Sequence, residues 1–243
     1  MTQQISSFQS EFNLSQAQMN RALTVVMTRV YMLMAAGLVL TAVVAQWTYT
    51  SGLFMRVAAN SVLFYGLLIG EVLLVMVIGR SIGRMAPRTS LILFLFYSAI
   101  NGITMSVIIA MYTLDSIALV FGITAGMFGI MSFVGFTTKT DMNQYRSFFM
   151  MALIGFLLAT VVNMFFVNEA FYWVLTYAGI ALFLGLTIYD TQKIKRLTTI
   201  EMVMTRGDVE EVVQRVAIGG ALQLYLDFVN LFVLLLRIFG RRS

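Results

Sequence analysis

A chain of 243 residues with 60% hydrophobic and only 11% charged residues, and a mean hydropathy of +0.88, is not a soluble domain, where about a quarter of residues carry charge. It has no His, and its lack of Cys removes disulfides, thiolate nucleophiles and iron–sulfur clusters; sensing of pH near neutrality then falls to carboxylates. The net charge of +5 is read as loop charge that orients a membrane protein, with no nucleic-acid patch.

Long apolar runs without alternating strands predict helices, because only helices and closed barrels satisfy the backbone in lipid. Residues 1–20 are polar, rich in Gln and Ser, and lack the basic start and short apolar core of a cleaved signal peptide. They are expected to form a cytoplasmic tail, with Phe8, Phe12 and Leu14 as surface-lying candidates, and residues 21–243 a transmembrane domain. Arg21 and Arg29 precede a first span over 30–47, and a loop over 48–60 carries Arg56. The second span covers 61–79 and is followed by Arg80, Arg84 and Arg88 around Pro87; the third covers 90–112 and the fourth 117–136. Lys139 and Arg146 sit in the polar turn TTKTDMNQYR, before a fifth span over 147–167 and a sixth over 170–189 that ends at Asp190. A charged connection over 191–215 then leads to a seventh span, 217–239. Cations on the tail and on alternate connections, against Arg56 alone on the others, place the N-terminus in the cytoplasm. Arg237, Arg241 and Arg242 run against this pattern if the seventh segment crosses; crossing is expected because no Gly or Pro interrupts it between Asp227 and Gly240.

Within the spans, Gly66/Gly70 and Gly122/Gly126 have small-xxx-small spacing, extended by Gly129 and Gly135, and are read as close helix packing. The 18 methionines are read as flexible apolar filler rather than a soft-metal path. Three carboxylates carry the chemistry. Asp227 lies near the middle of the last span, where an ionised Asp costs about 2.5–3.5 kcal/mol on insertion scales, so that helix should be central. Asp190 sits beside the cations Lys193, Lys195 and Arg196, and Glu71 is midway along the second span. Glu71 is either on an ion path or a hydrogen-bonded packing residue.

The segments GLTIYDTQKIK and ALQLYLDFVNLFVLLLRIFG, with TAGMFGIMSFVGFTTKTD after the fourth span and MALIGFLLATVVNMFF in the fifth, resemble the transmembrane Bax-inhibitor-motif family in its bacterial branch. The resemblance covers nearly the whole chain from Arg21. It implies an all-α integral membrane protein of the cell's inner membrane, with seven transmembrane helices, six of them surrounding the C-terminal one. It also implies a pH-sensitive pair of aspartates and calcium permeation, and by motif position the pair falls on Asp190 and Asp227. Two carboxylates in a poorly solvated site share a proton, and Ca²⁺ seeks several oxygens, so protons and Ca²⁺ would compete. Tyr225 and Asn230 are further candidate ligands or supports. No tightly bound cofactor is expected; the bilayer and transported Ca²⁺ are the expected partners.

Two other classes remain open. An intramembrane aspartyl protease would also pair carboxylates, but LYLD lacks the Gly-x-Gly-Asp segment of such enzymes, and a non-enzymatic role is expected. An interaction protein regulating a membrane protease or a stress or cell-death response would dock through the tail and the 191–215 connection.

Overall fold

The structure is a computed structural model that describes residues 16–81, 85–166 and 168–242. The surface candidates Phe8, Phe12 and Leu14, and also Arg84, lie outside the described residues. The elements are α1 (Gln16–Thr50), α2 (Leu53–Ala59), α3 (Ser61–Ser81), α4 (Pro87–Ile109), α5 (Leu114–Thr137), a 3₁₀ turn (Met142–Tyr145), α6 (Arg146–Phe165), α7 (Glu169–Met204) and α8 (Val209–Phe239). All of these except α2 and the 3₁₀ turn are long and apolar enough to cross a membrane, giving seven candidate spans among the described residues. Many of their large apolar side chains point outward, among them Val39, Val62, Phe133 and Met151, as expected where hydrocarbon is the solvent.

Local chemistry marks the helix ends. Pro87 opens α4 at its first turn, where a missing N–H costs nothing. Asn60 and Asn168 accept hydrogen bonds from the amides of Leu63 and Phe171 at the starts of α3 and α7. Buried threonines such as Thr124, Thr187 and Thr198 return their hydroxyls to the carbonyl four residues earlier, so that these hydroxyls are satisfied within an apolar core.

Several expected boundaries are corrected. Residues 16–20 belong to α1 rather than to a tail, and Arg21 and Arg29 lie within that helix. The loop over 48–60 contains α2. The largest change concerns Asp190, which ends no helix: α7 continues for 14 residues, from Thr191 to Met204. The connection is therefore only the turn 205–208. Arg206 and Gly207 adopt positive φ (53° and 91°), and the Gly207 and Arg206 amides bond to Met202 and Val203 carbonyls at 2.9 and 3.3 Å, a Schellman stop. Asp208 then caps α8 by accepting from the amides of Glu210 (3.0 Å) and Glu211 (3.2 Å).

At about 1.5 Å per residue, α1, α7 and α8 are each longer than a ~30 Å hydrocarbon core requires. Their surplus lies at one end of the bundle, where Ala22, Val26, Met202, Val212 and Val216 continue the buried core. Arg215 clips the hairpin there by pairing with Glu201 (3.3 Å) and Glu211 (2.5 Å).

The C-terminal helix α8 is the most buried span. Its principal contacts are with α1, α4, α5 and α7, while α3 packs on α4 and α6 packs on α7. It runs unbroken to Phe239. The chain beyond it meets the α4–α5 connection, where the Thr113 amide bonds the Arg241 carbonyl at 2.9 Å. Arg237 lies 5.2 Å from the ring of Tyr172, near the start of α7. The seventh segment thus traverses the bundle end to end and does not turn back.

Candidate functional site

The α7–α8 hairpin fixes the two aspartates. Gly179 faces Leu234 and Gly220 faces Ile194 across this pair of helices. That register puts Asp227 about one helical turn deeper than Asp190, by the rise of an α-helix. Both are buried, at 9% and 4% exposure for Asp190 and Asp227. Lys193 Nζ stands 3.9 Å from Asp190 Oδ1, one turn along the same helix. The Asp227 Oδ2 atom is buried with no hydrogen-bond partner among the described residues. An acceptor in that condition calls for a proton, a cation or a water, since an unpaired buried carboxylate oxygen is costly.

The residues around Asp190 hold α7 in place. Tyr189 packs on Phe149 with centroids 5.5 Å apart. The Thr191 and Ser132 hydroxyls lie 3.0 Å apart, and Ser132 in turn bonds Tyr31, tying α7 to α5 and α1. Gln192 Oε1 accepts from the Met142 amide at 2.6 Å, and its Nε2 donates to the Thr140 carbonyl at 2.8 Å. Lys195 Nζ donates to the Phe136 carbonyl at 3.0 Å, at the end of α5. Gln192 and Thr191 were not singled out in the sequence. Their place in YDTQ, beside a buried acid, was the signal available.

Tyr225, Asn230 and Glu71 stand apart from the pair in their bonding. Tyr225 is fully buried; its hydroxyl donates to Asn101 Oδ1 at 3.1 Å and lies 2.6 Å from the Thr41 hydroxyl. Asn101 Nδ2 donates to Glu71 Oε2 at 3.2 Å, and the Thr104 hydroxyl donates to Glu71 Oε1. Tyr225 therefore serves a network through α1, α4 and α3 that satisfies both Glu71 oxygens. Asn230 bonds its own helix, donating to the Leu226 carbonyl at 2.8 Å. Among the described residues no group of three or more His, Cys, Asp or Glu is placed to hold a metal. A cation at the aspartates would complete its shell from carbonyls and water.

Comparison with known proteins bears on this arrangement. The family model described as "Inhibitor of apoptosis-promoting Bax1" matches residues 23–243. The chain is 45% identical to the "Inner membrane protein YbhL" of Escherichia coli (strain K12) over 217 residues, 89% of this chain and 91% of that protein. It is 38% identical to an uncharacterized protein of Borreliella burgdorferi over 217 residues, covering 89% and 91%. A further uncharacterized protein, from Deinococcus radiodurans, is 38% identical over 218 residues, covering 89% and 90%. With seven apolar helices and a family match that takes in both aspartates, the chain belongs to the Bax inhibitor family of membrane proteins.

Proposed function

We propose that this protein is a leak pathway for calcium in the cell's inner membrane, with its N-terminus in the cytoplasm and with Asp190 and Asp227 acting as one titrating, ion-binding unit. The observation that carries the reading is the pairing itself. Two buried carboxylates lie on adjacent antiparallel helices about one turn apart, and one oxygen of the deeper residue has no partner. Such a pair favours holding either a shared proton or a divalent cation. Two carboxylates bind Ca²⁺ weakly compared with a full oxygen cage, and weak binding suits an ion that must leave again. The inner-membrane location is carried over from the bacterial relative named above. The role is non-enzymatic: the aspartates hold and release ions and cleave nothing.

Calcium entry into liposomes containing the purified protein tests this. The expected result is a leak that protein-free liposomes lack and that Asp190→Asn or Asp227→Asn alters. A leak indistinguishable from protein-free liposomes contradicts the proposal.

A further inference from the structure

At the level where α7 emerges from its apolar stretch, the protein has a cavity of about 350 Å³ whose lining includes Lys139, Lys193, Lys195 and Arg196, with Asp141 as the acidic member. Its size is within the range of small-ligand sites, about 300–1,000 Å³. Four cations converge from two elements, the α5–α6 connection and α7. Their donors are only partly used. Asp141 is committed to the Asn143 amide at 2.9 Å, and Lys195 gives a single bond to the Phe136 carbonyl. Lys139 and Arg196 are exposed and form no salt bridge among the described residues. The walls are held by Gln192, which bonds the connection at both ends of its amide. The site is therefore a braced pocket with surplus positive charge.

We propose that this pocket binds a phosphate group, carried by an anionic phospholipid. Arg and Lys together offer phosphate a planar fork and point charges, and basic pockets beside membrane helices suit lipid headgroups. The lipid is favoured as carrier because the pocket continues into apolar surface. Tyr189 lines it and packs on Phe149, which packs on Phe148; Phe148 and Met151 are exposed at 64% and 71% on the first turns of α6, which runs from the pocket into its apolar span, a face on which an acyl chain can lie. The site has a link to the aspartates. Lys193 both lines the pocket and faces Asp190 at 3.9 Å, so a bound phosphate and Asp190 compete for one ammonium group.

The test is retention of lipid by the full-length purified protein, read by native mass spectrometry, and it does not depend on ion passage. Dioctanoyl phosphatidylglycerol should be retained saturably, and dioctanoyl phosphatidylcholine should not. Arg196→Gln and Lys139→Gln, both at exposed positions, should each weaken retention about tenfold, the loss of one charge-assisted hydrogen bond. Arg206→Gln, a cation at the same end but outside the pocket, should leave it unchanged. Asp190→Asn should strengthen it about two- to threefold by releasing Lys193. Equal retention of the two lipids, or equal loss with Arg206→Gln, overturns the site. Displacement of the lipid by inorganic phosphate at equal concentration overturns the lipid as carrier. Unchanged retention in Asp190→Asn overturns the sharing of Lys193.

Discussion

Asp227 and Glu71 are both buried acids on membrane helices, yet their surroundings differ in kind. Glu71 receives hydrogen bonds from Asn101 and Thr104, whereas Asp227 keeps an oxygen without a partner. The first is a closed polar network; the second is an open one, and open buried groups are where a ligand or proton is needed. Glu71→Ala should therefore lower stability by about 1–3 kcal/mol, because two buried donors lose their acceptor. Thermal unfolding in detergent measures this. Glu71→Gln, which keeps the volume and one acceptor, should leave calcium leak unchanged. A large loss of leak in that variant places Glu71 on the ion path instead. The sequence displayed all three acids but not this difference, since Asn101 and Thr104 lie a full helix away from Glu71 and carry no local signal.

At the scale of elements, the seven apolar runs were legible because hydrocarbon selects for length and continuity. Their extensions beyond the apolar runs were not. Charged residues such as Lys193, Lys195 and Arg196 read as loop, although a helix leaving the membrane keeps its hydrogen bonds and simply changes its side chains. The true stop was written in the Arg206-Gly207-Asp208 run, where a positive-φ turn precedes a capping Asp and two acidic first-turn residues. Glycine spacing misled in a related way. A Cβ added at Gly66, Gly70, Gly122, Gly126 or Gly129 meets nothing within 4 Å among the described residues, so these form no close-packed face there. Gly135 does: a Cβ there falls 2.6 Å from the Ile188 carbonyl oxygen, two residues before Asp190. Gly135→Val should cost about 1–3 kcal/mol through overpacking and disturb the aspartates, while Gly122→Ala should be tolerated. Comparing the thermal midpoints of the two variants checks the contrast; equal losses contradict it.

For the molecule as a whole, the long ends of α1, α7 and α8 hold Arg21, Arg29, Lys193, Lys195, Arg196 and Arg215 at one end of the bundle, and the C-terminal arginines sit at the other, against the α4–α5 connection. The positive-inside rule then predicts that the larger group faces the cytoplasm. Because the chain has no native Cys, single-cysteine labelling in cells reads this directly. Thr199→Cys should be shielded from an impermeant reagent and Asn168→Cys accessible; the reverse pattern inverts the orientation. Across the bundle, Asp190 and Asp227 are buried acids on the neighbouring helices α7 and α8, and the account of the leak rests on their working as a unit. The most direct measurement is the pH profile of calcium leak in liposomes for the native protein, Asp190→Asn, Asp227→Asn and the double variant. A shared unit predicts a profile that either single substitution flattens and that the double variant changes no further, since members of one unit are non-additive. Additive effects of the two substitutions, or a profile untouched by Asp227→Asn, contradict it.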